Sequence, residues 1–353
     1  MDPILLMAHL LLLALGANAV AANSPELLTK YLAFAALSLA VAWLFWYLGS
    51  GRARVSPLRP ELLIRLGLVL HLAALALMAA AALIGPEIHG SQRWLAIPGF
   101  IFIPSEFAKL TMTLCLLRSL LRYRPEAPAA GMQFCVVVTA GIAAWQRDLS
   151  GAIIFLLLGA VVMFLGRIPL RRYIAVNAAT ALVGLVAVIR FFPDLWTKAS
   201  TRFKEVQNPE NYSQTYFAKQ ALANPTLIGH GPGAKFVLPN GYNDLAVVTI
   251  WYTMGILGFL LLLMLYAAIF IRAREIMAKR PEHALLTSAL LAVLGVQVIL
   301  HLLTGLIGLP NGGISLPLAS YGGSSMLATG ALMGMLHALS PYPERAGRRG
   351  EAT

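Results

Sequence analysis

Apolar runs of nearly twenty residues recur along the whole chain, each closed by a polar connection. About twenty helical residues cross the hydrocarbon core of a bilayer, whereas a spanning strand needs about ten and alternates apolar with polar side chains. That alternation is missing here. Lipid leaves no third option, because backbone groups must be satisfied inside a helix or a closed barrel. The pattern predicts an all-α, polytopic membrane protein. Ten spans are read at about 3–22, 30–49, 62–84, 104–121, 131–145, 151–166, 173–192, 246–271, 284–307 and 318–339. The first run lacks a basic flank and a small-residue cleavage site, so it reads as a retained span rather than a removed signal.

The connections alternate in charge. One set is basic, with Arg52, Arg54 and Arg59; Arg122 and Arg124; Arg167, Arg171 and Arg172; Arg272, Arg274, Lys279 and Arg280; and Arg345, Arg348 and Arg349. The other set holds few cations, chiefly Lys30, Arg93 and Arg147. The positive-inside rule makes the basic set cytoplasmic, which puts both termini inside and the chain in the inner membrane. Segment 193–245 then faces outward as the one large polar stretch, and its Tyr212, Tyr216, Phe217 and Leu222 predict a packed or membrane-lying segment. A single domain, 1–353, accounts for the chain.

Composition agrees: 59% of residues are hydrophobic and 12% charged, more apolar surface than a soluble domain of 353 residues could cover. The net charge of +12 is spread over short inter-span clusters without a basic stripe interleaved with aromatics, so no nucleic-acid partner is expected. Cys115 and Cys135 fall in or beside apolar segments and read as packed thiols. His9, His71, His301 and His337 lack ligand spacing and read as packed or hydrogen-bonded side chains.

Charge inside a span is expensive, which makes each case a candidate site. Pro104-Ser105-Glu106-Phe107-Ala108-Lys109 opens the fourth span, with Ser105 placed to cap it and Glu106 beside the positive end of the helix dipole. Glu106 and Lys109, three apart, share a face and can pair, either as a strut of the bundle or as the wall of a substrate cavity. Asp148 follows Arg147 in a tight turn, where an ordinary structural role competes with a functional one. Gly229-His230-Gly231-Pro232-Gly233 follows no strand of a βαβ unit, which excludes a dinucleotide or P-loop cradle. Pro310 to Ser325 is rich in Pro, Gly and Ser, and Ser320-Tyr321-Gly322-Gly323-Ser324-Ser325 joins hydroxyls to glycines that permit close backbone approach.

Gly313-Ile314-Ser315-Leu316-Pro317-Leu318-Ala319-Ser320-Tyr321-Gly322-Gly323-Ser324-Ser325 closely resembles the G-x-x-L-P-x-x-S-Y-G-G-S-S signature of the SEDS (RodA/FtsW) family. Three more motifs fall in the family's order: Arg93-Trp94 with Pro104 to Lys109 resembles R-W…P-S-E-x-x-K, Arg147-Asp148-Leu149 resembles the D-L-G turn, and Leu238-Pro239, Asn243-Asp244, Gly255 and Gly258 resemble L-P…D-F…G-x-x-G. The resemblance, strongest to RodA, spans the chain. It implies a peptidoglycan glycosyltransferase that polymerises lipid II into glycan strands on the outer membrane face, with a role in elongation and cell shape. It puts Asp244 at the position of the essential acidic residue. A carboxylate suits that position, because a general base must take the proton of the attacking sugar hydroxyl. Arg93, Lys109 and Lys235 are the cations for the diphosphate leaving group, and Glu106, Asp148, Ser320, Tyr321 and Ser324 complete the expected substrate-binding set. Implied partners are lipid II, a class B penicillin-binding protein and other elongation-complex membrane proteins; a divalent cation, Mg or Mn, is left open. The short tail after Pro341 points to the RodA side.

The sequence departs from the family at Ile103 (commonly Gln), Ser150 (Gly) and His301 (Asn), and Tyr252-Thr253 stands where an acidic pair often lies. Two rival readings follow. A lipid-linked-precursor flippase would use the same intramembrane charges, and a non-catalytic scaffold for a penicillin-binding protein would explain Tyr252-Thr253.

Overall fold

The computed structural model describes all residues except 52–57, 89, 124–128, 192, 208–212, 233, 236–237, 308–312 and 342–353. Arg52, Arg54, Arg124, Arg345, Arg348 and Arg349 of the basic set, together with Tyr212, Gly233 and Pro310, lie outside the described residues.

Helices α1 (Pro3–Asn23), α2 (Leu28–Gly49), α3 (Pro60–Ile84), α4 (Pro104–Arg122), α5 (Ala129–Trp145), α6 (Leu149–Leu165) and α7 (Leu170–Phe191) match the first seven predicted spans within a few residues. Prolines at the first helical position start α1, α3 and α4, where a missing N–H is no loss. Asp2 caps α1 by accepting from the Ile4 and Leu5 N–H groups at 3.1 and 3.3 Å, and Asp148 caps α6. The expected cap by Ser105 is not formed. It sits inside the first turn of α4, whose N-cap is Ile103, and the Ile103 N–H instead donates to Ser324 Oγ at 2.9 Å. Among the described residues six helices are long and apolar enough to cross a membrane, and α5 and α6 are shorter apolar helices.

The large polar segment folds into α8 (Pro193–Gln207), α9 (Ser213–Ala223) and a turn leading to α10 (Ala246–Lys279), and its Leu195, Ala218, Ala221 and Leu238 are buried. Two boundaries correct the sequence reading. Helix α10 runs on through Arg272 and Arg274, which were read as loop, because Arg272 finds a buried carboxylate. The last helix, α12 (Gly323–Leu339), begins five residues later than the predicted 318, after Pro317 and a left-handed Leu318. There the N–H groups serve tertiary bonds: Leu316 N–H donates to Ser320 Oγ at 2.7 Å and Tyr321 N–H to the Tyr242 carbonyl at 2.9 Å.

Helix α12 is packed against α2, α3 against α4, α1 against α10 and α5 against α6, while α11 (Ala284–Ile307) touches α10, α6 and α4. Helix α10 breaks at Gly255, whose φ of 64° and ψ of −159° suit glycine. The freed groups are satisfied by an incoming strand of backbone. His230 and Gly231 N–H donate to the Tyr252 and Thr253 carbonyls at 3.0 and 2.9 Å, while Ile256 and Leu257 N–H donate to Thr226 and Leu227 at 3.0 and 3.1 Å. A broken helix is tolerated at membrane depth only when protein repairs it in this way. The Gly229–Gly231 stretch is thus a helix splint.

At one end of the bundle α1, α10 and α12 meet in a closed ionic network. Asp2, fully buried, accepts from Arg272 Nη2 at 2.7 Å and from Ser340 Oγ at 2.5 Å, and its N–H donates to His337 Nδ1 at 3.0 Å. Glu275 takes the remaining Arg272 nitrogen. Burial pushes the Asp2 carboxyl up, but the hydrogen bonds from Arg272, Ser340 and Leu5 outweigh it and hold the group below its ordinary value.

Candidate active site

A short hairpin, β1 (Leu95–Ile97) and β2 (Phe100–Phe102), carries the chain from Arg93 to the start of α4. Two bonds to the Gln146 carbonyl anchor its base, from Ser91 Oγ at 2.8 Å and Gln92 N–H at 3.0 Å. That fastening brings Arg93 to the turn between α5 and α6. There Arg147, at φ 57°, reverses the chain and turns Asp148 inward. One Asp148 oxygen accepts from the Gly151 N–H at 3.0 Å and the other from Arg93 Nη1, also at 3.0 Å. The cap and the ion pair are therefore one carboxylate, which is the ordinary structural reading of Asp148. The Arg93 guanidinium also lies over the Trp94 ring, 4.9 Å from its centroid.

Glu106 and Lys109 form the expected pair on one face of α4, Nζ to Oε2 at 2.8 Å. Sequence spacing could not show the third member. Gln297 of α11 accepts from the same ammonium at 2.5 Å. Glu106 and Lys109 line a small cleft whose walls include Arg93, Asp148, Ser150 and Ser315, with Gln297 outside its lining. The electrostatics bind the cluster together. Burial lowers the Arg93 pKa, but the carboxylates of Asp148, Asp244 and Glu106 outweigh it and raise the pKa above its ordinary value.

Asp244 itself, half-buried, stands in the turn that opens α10 and outside the cleft wall, close enough to act on Arg93 through its charge. Its turn is tightly held. Asn243 and Leu245 N–H donate to the Asn240 carbonyl at 3.0 and 3.3 Å, and Thr249 Oγ1 donates to Gly241 at 2.8 Å. Ser320 Oγ donates to the Asn243 carbonyl at 2.9 Å, and the Tyr321 ring meets Tyr242 edge-on at 5.9 Å between centroids. Burial first, and then the charges of Asp244 and Glu26, push the Tyr242 hydroxyl above its ordinary pKa.

Of the residues picked from sequence, Arg93, Glu106, Lys109 and Asp148 share the cleft. Ser320, Tyr321 and Ser324 support its backbone: Ser320 and Ser324 are 2% and 1% exposed, and each engages main chain. Lys235 is exposed and does not line the cleft. At the family's acidic-pair position, Thr253 Oγ1 donates to the Thr249 carbonyl at 2.8 Å and accepts from Asn18 Nδ2 at 2.7 Å, while Tyr252 stacks on His230 at 4.1 Å. Neutral groups already in use do not fit a hard divalent cation, which prefers carboxylate oxygens. No cluster of three His, Cys, Asp or Glu exists among the described residues.

The family model of the FtsW, RodA and SpoVE cell cycle proteins matches residues 3–344. A probable peptidoglycan glycosyltransferase FtsW of Halorhodospira halophila is 29% identical, covering 76% of this chain and 72% of that protein. Its counterpart in Halomonas elongata is 27% identical over 80% and 76%. Among solved structures, RodA of Thermus thermophilus matches with a TM-score of 0.67 at 25% identity, covering 96% of this chain and 95% of that one. A chain from a peptidoglycan synthase complex that coordinates polymerization and crosslinking matches with a TM-score of 0.74 at 28% identity over 96% of both. With the motifs, the apolar helices and the family match in agreement, this chain belongs to the FtsW/RodA (SEDS) family of polytopic membrane proteins.

Proposed function

We propose that this chain is a peptidoglycan glycosyltransferase that polymerises lipid II at the outer face of the inner membrane. The observation that carries the reading is the ionic cleft: Arg93, Asp148, Glu106 and Lys109 line one opening among apolar helices, with Gln297 holding Lys109 from behind and Asp244 adding to the field at Arg93. Charge is kept within lipid-spanning helices where it meets a ligand or a partner. In the reaction, a sugar hydroxyl of the acceptor attacks the donor's anomeric carbon. The bond from that carbon to the diphosphate oxygen breaks, and the lipid diphosphate leaves. Asp244 takes the hydroxyl proton. Arg93 and Lys109 offset the negative charge growing on the diphosphate, and in a water-poor cleft that interaction is strong. Asp148 and Gln297 keep the two cations aimed.

The positive-inside pattern supports cytoplasmic termini and an outward cleft. The likeness to a chain from a synthase complex supports a class B penicillin-binding protein as partner, with other elongation-complex membrane proteins around it. Elongation is the narrower proposal. The RodA likeness favours it and the FtsW names of the relatives oppose it, and depletion separates them: round cells for elongation, filaments for division. A Mg or Mn ion, where one takes part, would arrive on the diphosphate, because the described residues hold no cluster of three His, Cys, Asp or Glu; an unchanged rate in chelator would remove it.

The scaffold reading keeps one observation in its favour, the neutral Tyr252-Thr253 pair. Purified protein with lipid II decides. Glycan polymer is expected, transbilayer movement without polymer would make the chain a flippase, and neither would make it a scaffold.

A further inference from the structure

Helix α10 starts two residues after Asp244, at Ala246, and has no side-chain cap, since Leu245 occupies the N-cap. Its first N–H groups must nevertheless be satisfied. One of them, Val247 N–H, points to a residue of another helix: it donates to His301 Nε2 of α11 at 3.4 Å. The other ring nitrogen, Nδ1, lies 2.7 Å from the Ile314 carbonyl, and a carbonyl can only accept. The ring is thus neutral, with its proton on Nδ1, and bridges two backbones. His301 is fully buried. One turn along α11, Gly305 leaves the room that Val247 occupies: a Cβ there would meet Val247 Cγ1 at 2.4 Å.

The bridge closes a ring around Asp244. From His301 it runs to Ile314, through the turn in which Ser320 Oγ accepts from Leu316 N–H, to the Asn243 carbonyl that Ser320 holds, past Asp244 to Val247, and back to His301. Ile314 and Ser315, on the same segment, also line the ionic cleft. Motion of the Asp244 turn relative to the cleft must therefore strain one of these bonds. We propose that His301 is a positioning residue for glycan transfer, a cap supplied in trans that fixes the start of α10, and with it the Asp244 carboxylate, against the cleft-lining segment. This rests on the polymerase reading above. His301 is a site where the sequence departs from the Asn common in the family, and the longer ring lets one residue reach both backbones.

Two substitutions separate the halves of the bridge. His301→Asn can reproduce the short arm, donating from Nδ2 to Ile314, but ends before Val247. His301→Gln reaches Val247 with its amide oxygen and leaves Ile314. In the full-length protein with lipid II, His301→Asn is expected to lower kcat by about tenfold or more, with KM changed less than about twofold, since misplacing a catalytic group costs turnover rather than binding. His301→Gln keeps Val247 capped but frees it from Ile314, so a smaller loss of kcat, about threefold, is expected. Amide exchange of the peptide covering 240–249 should rise in His301→Asn and remain near wild type in His301→Gln, with thermal stability similar in both. The exchange arm needs no activity. Equal protection in both variants, or equal kcat in a preparation whose Asp244→Asn variant is inactive, would overturn the positioning role while leaving the polymerase reading intact. Absence of polymer from the wild type would overturn that reading, and the exchange result would still decide whether His301 holds the turn.

Discussion

Two ionic networks lie inside this bundle of apolar helices, and they are finished differently. Around Asp2 the carboxylate itself is enclosed: Arg272, Ser340 and the backbone of α1 hold its oxygens, its N–H meets His337, and it has no exposure. Around Arg93 the charges also pair, with Asp148 and with Glu106, Lys109 and Gln297 nearby, but the pairs form the wall of an open cleft. Both meet the desolvation cost of charge with opposite charge. The Asp2 carboxylate spends its hydrogen bonds on protein and ties α1, α10 and α12 together. The carboxylates around Arg93 border a cleft. Burial alone would not have separated the two networks; what separates them is whether the paired charges line a cleft.

The largest effect should come from the acidic residue beside the open network. Asp244→Asn keeps shape and much of the hydrogen bonding but cannot accept a proton. Lipid II polymerisation should fall by about 10²–10⁴-fold with expression and thermal stability near wild type. An ordinary rate would remove Asp244 from the chemistry.

The closed network should respond in stability instead. Arg272→Met strands a buried carboxylate and should cost about 3–5 kcal/mol in unfolding measurements. Adding Asp2→Asn to that variant should recover most of the loss, with turnover per folded molecule unchanged throughout. The Asp2 carboxyl is held below its ordinary value of 3.8, so its contribution is complete above that pH and is lost as pH falls through the lowered folded value. Asp2→Asn should flatten that acid limb of the stability curve. A loss of turnover without a loss of stability would place function at the wrong end.

Smaller still is the effect expected from the Glu106–Lys109 pair. Either single neutralisation leaves a buried charge with an incomplete set of partners, and should destabilise more than the double change to Gln and Met. The double variant should fold and lose about tenfold in turnover. Near-normal turnover would make the pair a strut like Arg272 with Asp2.

The contrast also explains what the sequence could tell. Membrane spans were legible because bilayer thickness imposes one length on every apolar run, and α1 to α7 end within a few residues of the reading. Glu106 and Lys109 were legible because charge is conspicuous at the head of an apolar span, whereas Arg93 and Asp148 stand in turns and drew attention chiefly through the family motifs. Gln297 and His301 were not: they stand 188 residues from Lys109 and 13 from Ile314 respectively, and only helix packing reveals what each touches. Arg272 was misread as loop because a cation after an apolar run usually marks the membrane edge, and its carboxylate partner lies 270 residues away at Asp2. The break at Gly255 was hidden for a related reason: the backbone that repairs it, 226–231, comes from the large polar segment, and no spacing shows where that segment meets α10.

The central claim is that the open network faces outward and takes the substrate. Ser315 lines the cleft and is partly exposed. In a chain with Cys115 and Cys135 changed to Ala, Ser315→Cys offers a single thiol there. A small membrane-impermeant thiol reagent applied to intact cells should modify it, and saturating lipid II should protect it in reconstituted protein, while Ser340→Cys at the Asp2 network should be neither labelled nor protected. Labelling of Ser340→Cys from outside, or an unprotected Ser315→Cys in lipid II, would contradict the account.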